Sequence, residues 1–299
     1  MAAASVSREL LAVRKAVVDV LGEQPALVAC SGGADSLALA AGAALLPQSI
    51  EAAVIDHGLQ AGSAQVAEQA ATSCREFGLP VQVRRVEVTG AGGPEAAARN
   101  ARYAALREIA DGRPILLAHT LDDQAETVLL RLARGSGARS LSAMAPVDGD
   151  LYRPLLHLRR SLVRAACPAP AHEDPHNSDD RFARARLRGH GLPALVEDLG
   201  DGVVFGLARS AALLREDSAA LDLWAEQALT SDVAELAALP RAVRLRVLRR
   251  LALGAGCRAL SREHVLAMAG LIEDWRGQGP IDLPGGVRAA RKSGRLVLH

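Results

Sequence analysis

The stretch Ala26-Leu27-Val28-Ala29-Cys30-Ser31-Gly32-Gly33-Ala34-Asp35-Ser36-Leu37-Ala38-Leu39 decides the fold. Ala26 to Cys30 is a short apolar run that reads as a strand, and from Leu37 the apolar pattern is helical. Between them Gly32 and Gly33 let the backbone turn tightly with its N–H groups free. Ser31 and Ser36 add hydroxyls, and the following helix directs its positive end at the turn. This makes an anion cradle of Ser31, Gly32, Gly33, Ala34, Asp35 and Ser36; a glycine turn with a serine cap is the plainer alternative. The loop lacks the GKS/T of a Walker A sequence and the three-glycine spacing of a dinucleotide fold, so neither P-loop hydrolysis nor hydride transfer fits. A carboxylate inside a phosphate loop repels its ligand unless a divalent cation intervenes. Asp35 is therefore expected to hold Mg2+ bridged to ATP.

Outward from this loop, Ala52 to Asp56, Val81 to Val88 and Pro114 to His119 read as further strands. Residues 37–46, 62–77, 94–111 and 121–134 read as helices between and after them. Such alternation predicts an α/β domain with a parallel sheet, helices on both faces and ligands beyond the carboxyl ends of the strands. Residues 150–190 are loop-rich, with Pro154, Pro168, Pro170 and Pro175, and long loops of this kind are commonly functional. From about Val203 the pattern is helical again over Gly206–Leu229, Pro240–Leu253 and Ser261–Asp274, and Ile281–Leu298 reads as a small hairpin-like element. The expected division is a catalytic domain over 1–205 and a smaller, mainly helical domain over 206–299.

The 299 residues are 49% hydrophobic and 23% charged, as in an ordinary globular protein. No uninterrupted apolar run approaches the roughly 20 residues of a membrane span, and Arg14, Lys15 and Asp19 interrupt the first apolar stretch, so a cytoplasmic protein without a membrane partner is expected. Cys30, Cys74, Cys167 and Cys257 are scattered without CxxC spacing and read as free, mostly buried thiols. Only Lys15 and Lys292 are lysines among 35 basic residues, so nearly all positive charge sits on guanidinium groups suited to phosphate. Residues 206–299 carry 14 basic against 10 acidic groups, whereas residues 1–205 carry 21 against 24.

Other segments carry recognisable chemistry. Asp123 and Glu126, three apart at the start of a helix, share a face that suits Mg2+ or another cationic group; favourable charge at a helix N-terminus is the alternative. His119 ends the fourth strand, where this fold places ligands. Arg99 and Arg102 share a helix face from which they reach a transferred phosphoryl group, or else lie solvated. Between His172 and Gly189, Arg181, Arg184, Arg186 and Arg188 accompany Asn177 and Phe182 as a positive patch for RNA phosphates, with a solvated loop as the alternative. In the helical part Arg241, Arg244, Arg246, Arg249 and Arg250 cluster between apolar residues, open to either reading.

Ser-Gly-Gly-x-Asp-Ser after a first strand resembles the PP-loop ATP pyrophosphatases, which split ATP to AMP and pyrophosphate. Val54-Ile55-Asp56-His57-Gly58-Leu59 looks like the strand-end motif of that class. Glu95-Ala-Ala-Ala-Arg99-Asn-Ala-Arg102-Tyr103, Leu117-Ala-His119-Thr-Leu-Asp122-Asp123-Gln-Ala-Glu126-Thr127, Arg153-Pro-Leu-Leu and Glu173-Asp-Pro-His-Asn177 then follow in the order found in the short bacterial form of the tRNA(Ile)-lysidine synthetases. The resemblance covers about two thirds of the chain. Thr120 stands where the family commonly has His or Asn, and His172 where it has an aromatic residue before Glu-Asp-Pro.

The resemblance implies ATP-dependent adenylation of the wobble cytidine of a CAU-anticodon tRNA(Ile), followed by displacement of AMP by L-lysine. It implies ATP contacts at 31–36, Asp56 and His57. Catalytic roles fall to Asp35, Arg99, His119, Asp123 and Glu126, and lysine or tRNA contacts to Asp123, Glu126, Asn177, Arg181, Arg184 and Arg186. It implies no protein partner, and it gives the C-terminal domain the task of placing the tRNA. The rival readings are tRNA thiolation by another PP-loop family, which usually needs paired cysteines, and a non-catalytic tRNA- or nucleotide-binding relative.

Overall fold

The computed structural model describes residues 6–58, 62–88, 93–173 and 179–299. In chain order its first part runs α1 (Arg8–Leu21), β1 (Ala26–Ala29), α2 (Ala34–Ala44), β2 (Ile50–Asp56), α3 (Ser63–Glu76), β3 (Val81–Arg85), α4 (Pro94–Ala110), β4 (Ile115–Leu116) and α5 (Leu121–Leu132). There follow α6 (Ala138–Leu141), β5 (Val147–Asp148), β6 (Leu151–Tyr152), α7 (Arg160–Ala165), α8 (Ala183–Arg186) and α9 (Leu192–Leu199). The later part comprises α10 (Gly202–Gln227), α11 (Val233–Ala238), α12 (Arg241–Gly254), α13 (Arg262–Glu273), β7 (Ile281–Leu283), β8 (Val287–Lys292) and β9 (Arg295–Leu298).

The first sheet has the order β3-β2-β1-β4-β6-β5. All pairings are parallel except the β5–β6 edge, where Val147 faces Tyr152. Alternation along β1 sorts the core. Ala26 and Val28 pack with α1, α2 and α3 residues such as Val17, Leu37 and Ala71 on one face. Leu27 packs with Tyr103, Leu106 and Ile109 of α4 on the other. The expected parallel sheet with helices on both faces is thus present. Gly42 lets α1 and α2 approach closely, because a Cβ there would lie 2.5 Å from Val13 Cγ1.

The chain order explains where a ligand belongs. From β1 it winds outward through β2 to β3, then returns to place β4 on the opposite side of β1. The crevice between the ends of β1 and β4 is the topological switch point. The loop 31–36 leaves β1 there, and His119 to Asp123 leave β4.

The chain divides into Met1–Ala212 and Leu213–His299, whereas the sequence suggested a boundary at Phe205. The division falls within α10, whose Val204, with no exposure, joins Leu121, Ala125 and Leu192 in a local core. The second unit packs α11, α12 and α13 with the antiparallel sheet β7-β8-β9 around Leu236, Leu248, Met268 and Leu271. The predicted hairpin-like tail therefore has three strands.

Candidate active site at the switch point

The anion loop is braced from within. The Ser36 hydroxyl donates to Gly33 O at 2.8 Å and accepts from Ser31 N at 3.2 Å, with Ser31 Oγ 3.3 Å away. Ser36 is 5% exposed and its side chain braces the loop from within, while Ser31 is exposed. Gly32 has φ +84°, and a Cβ there would come within 3.1 Å of Ala70 Cβ on α3. Only glycine fits that turn. Gly33 caps α2 without a side-chain hydrogen bond, which leaves the first N–H groups of α2 for an anion.

Asp35 stands at the start of α2 with Oδ1 enclosed and without a hydrogen-bond partner among the described residues. Its Oδ2 lies 3.8 Å from Arg160 Nε. Burial pushes its pKa up to about 6, against the opposing charge of Arg160 and with help from Asp123.

Across the crevice, α5 begins in a capping box. Thr120 N and Oγ1 donate to Asp123 Oδ2 at 2.8 and 2.7 Å, and Asp123 N returns to Thr120 Oγ1 at 3.4 Å. Thr120, where the family commonly has His or Asn, thus fixes one oxygen of Asp123. The other oxygen accepts Arg160 Nη2 at 2.8 Å and Arg188 Nη2 at 2.9 Å. Glu126, fully buried, accepts Arg160 Nη1 at 2.9 Å and Arg188 Nε at 3.0 Å on Oε1, and Arg188 Nη2 at 3.1 Å on Oε2. Arg184 Nε lies 3.6 Å from Oε2 and its Nη2 donates to Thr127. Burial works against the charge on Asp123, but Arg160 and the two Thr120 hydrogen bonds outweigh it and hold the carboxyl below its ordinary range. The shared face predicted for Asp123 and Glu126 is real, and two guanidinium groups already occupy it.

His119 has Nδ1 enclosed without a described partner, and burial, aided by Arg153 and Arg99, pushes its pKa down to about 4. At neutral pH it is an uncharged hydrogen-bonding group. Arg99 and Arg102 lie over the ring of Tyr103 at 4.9 and 5.4 Å from its centroid. Asp56, at the end of β2, accepts from Gly58 N at 2.9 Å. Next to it His57 is half-buried, its pKa lowered by burial and by Arg102.

The described residues contain seven enclosed side-chain polar atoms without a partner: those of Asp35, His57, Tyr103, His119, Arg153, Arg160 and Arg244. Asp35, His57, His119 and Arg153 follow the carboxyl ends of β1, β2, β4 and β6; Arg160 faces Asp35, and Tyr103 interacts electrostatically with Arg153. Buried polar groups are normally satisfied, so this concentration makes the switch point the candidate site.

Other expected residues fall elsewhere. Arg181 is exposed and paired with Asp179 at 2.7 Å, and Arg186 is exposed and bonded to the carbonyls of Asp180 and Arg181. Asn177 and Leu59 lie outside the described residues. Arg160, which no spacing singled out, is the residue that sequence reasoning missed; only its place seven positions after Arg153 of the Arg-Pro-Leu-Leu motif hinted at it. Cys30, Cys74 and Cys257 are buried free thiols, as expected, and Cys167 is half-buried. Among the described residues no cluster of three or more His, Cys, Asp or Glu side chains suits a metal, and no helix is long and apolar enough to cross a membrane.

Residues 4–195 match the PP-loop domain family, and residues 232–297 match the TilS substrate binding domain. The chain is 49% identical to a tRNA(Ile)-lysidine synthase of Thermobifida fusca, over 96% of this chain and 95% of the relative. It is 51% identical to a tRNA(Ile)-lysidine synthase of Salinispora tropica, over 96% and 94%. Among solved structures it resembles the U34-tRNA thiolase NcsA of Methanococcus maripaludis with its [4Fe-4S] cluster, at TM-score 0.53 and 16% identity, over 69% of this chain and 80% of that one; this likeness concerns the fold. With its anion loop, its crevice and both halves matched, the chain belongs to the tRNA(Ile)-lysidine synthase family.

Proposed function

We propose that this protein joins L-lysine to C2 of the wobble cytidine of a CAU-anticodon tRNA(Ile) in two steps, the first of which consumes one ATP. The C2 carbonyl oxygen attacks the α-phosphorus of ATP, forming a C2–O–P bond and releasing pyrophosphate. The lysine ε-amine then attacks C2, the C–O bond breaks, AMP leaves with the oxygen, and the amine gives up a proton. Adenylation is needed because an oxide is a poor leaving group and a phosphate ester a good one. The observation that carries this reading is the gathering of unpartnered polar groups around an anion loop at the β1/β4 switch point.

In this reading the free N–H groups at the start of α2 hold the ATP phosphates. A lone carboxylate beside a phosphate loop suits Mg2+, which takes few protein ligands and prefers phosphate and water oxygens. Asp35, with Oδ1 unpartnered, fits that role; when bound, the ion would offset charge on the leaving pyrophosphate. Arg99, exposed on α4 above Tyr103, adds a second positive group for that charge. His119 contributes hydrogen bonding from a neutral ring, while Asp56 and His57 contact the nucleotide at the end of β2.

Asp123 and Glu126 serve the lysine. They hold its α-ammonium, because an ε-ammonium engaged in an ion pair is not a nucleophile. Arg184 borders this wall, and Arg181, Arg186 and Asn177 belong to a tRNA-facing segment. The unit Leu213–His299 places the tRNA, although Arg241, Arg244, Arg246 and Arg250 already pair with Glu273, Asp222 and Glu226. The reaction belongs in the cytoplasm, where its substrates are. Incubation with ATP, labelled lysine and the tRNA transcript should release one AMP per lysine attached. AMP release without label in the RNA, or label without AMP, would contradict the scheme.

A further inference from the structure

Arg160 is placed before its side chain is considered. It is the first residue of α7, and its backbone N–H donates to Asp122 Oδ2 at 2.6 Å, tying it to the first turn of α5. Three residues on, Val163 is fully buried in the core with α1 and α2. The side chain, 15% exposed, then meets carboxylates from two separate helices. Nη1 and Nη2 bind Glu126 and Asp123, and Nε faces Asp35 across 3.8 Å, with no hydrogen-bond partner of its own among the described residues. A planar guanidinium fixes the directions of all three, which a point charge cannot do.

Arg188 binds the same pair but is 29% exposed. Both Asp123 oxygens have two partners each, and so has Glu126 Oε1. Glu126 Oε2 has one hydrogen-bond partner among the described residues, Arg188 Nη2 at 3.1 Å, with Arg184 Nε at 3.6 Å; a cationic group joining this pair therefore competes with these two, and the more deeply buried Arg160 stays.

We propose that Arg160 is a positioning residue of the ligation: it fixes Asp123 and Glu126 relative to Asp35, so that lysine held by the α5 pair meets the adenylated cytidine formed beside the anion loop. This rests on the reading of Asp123 and Glu126 as the lysine side. Misplacement by about 1 Å costs on the order of a hundredfold in rate, so loss of this tie should appear in kcat rather than in lysine affinity.

The test compares the full chain with Arg160→Gln and Arg160→Lys, using tRNA transcript, ATP and varied lysine, with rates expressed per folded enzyme from thermal melts. Arg160→Gln should lower kcat by about tenfold or more, with lysine KM little changed, because the guanidinium that an incoming lysine displaces is that of the more exposed Arg188. Arg160→Lys keeps one charge but loses the fork, and should restore part of that kcat. Wild-type kcat in Arg160→Gln, a raised KM with kcat intact, or a kcat loss that matches the loss of folded enzyme would each overturn the proposal. Should Arg160→Gln not fold, Arg160→Lys decides alone: a severalfold lower kcat in a stable protein supports it, and an unaltered kcat overturns it. Glu126→Gln is run alongside, and an unaltered lysine KM there sinks the lysine reading independently of what Arg160 does to kcat.

Discussion

Replacing Asp35 with Asn should stabilise the ligand-free protein while abolishing its activity. The Asp35 side chain is 27% exposed, its Oδ1 has no described partner, and its nearest cation is 3.8 Å away and already engaged by two other carboxylates. Burial raises its pKa from 3.8 to about 6. A carboxyl whose folded pKa is raised opposes folding wherever it is ionised in both states, so the penalty is full above pH 6 and vanishes below the unfolded value. At about 1.4 kcal/mol per pKa unit the shift corresponds to roughly 3 kcal/mol, which partial solvent access reduces to about 2. Asp35→Asn should therefore raise the melting temperature by roughly 4–8 °C at pH 7.5, with the gain fading towards pH 4. Thermal and urea melts with EDTA at both pH values measure this, beside tRNA-dependent AMP formation. An Asn variant no more stable than the parent at pH 7.5 would refute the claim that this carboxylate is uncompensated, and near-normal turnover would remove Asp35 from the ATP site.

Glu126→Gln leaves two guanidinium groups facing one carboxylate in a buried setting and should cost about 3 kcal/mol, seen as a fall of roughly 6–12 °C in melting temperature; a change of only a degree or two would mean that the Arg160–Arg188 cluster does not persist. Ser36→Ala removes the strut of the anion loop and should cost about 1–2 kcal/mol and weaken ATP binding, whereas Ser31→Ala should stay within about 0.5 kcal/mol. Equal effects in urea melts would contradict the division of labour between the two serines. A 1–212 fragment should keep ATP binding but bind tRNA more weakly and with a flatter salt dependence than the full chain. Equal affinity and salt slope, with ATP binding preserved, would show that Leu213–His299 does not place the tRNA.

The architecture was legible because its signals are local. Ala26 to Leu39 is strand, turn and helix in one stretch, and Thr120 to Glu126 announces both a helix start and two carboxylates on one face. What the sequence hid depends on contacts distant along the chain. Arg160 meets Asp123 and Glu126 across more than thirty positions, and Arg188 across more than sixty, which no periodicity reports. That the Ser36 hydroxyl braces the loop by donating to Gly33 O was not legible from its place beside the glycines. The short β5–β6 pair, two residues per strand, is too brief for an alternating pattern. The arginines of α12 gave a charge count but not their partners, which lie on α10 and α13.

Nucleoside mass spectrometry of a CAU-anticodon tRNA(Ile) transcript after incubation with the protein, ATP and lysine tests the assigned reaction most directly. The wobble cytidine should be replaced by a nucleoside heavier by one lysine less one water, only when both ATP and lysine are present, and not with the Asp35→Asn variant. A wobble cytidine left unchanged by the folded wild-type protein, or one that gains sulfur in place of oxygen, would contradict it.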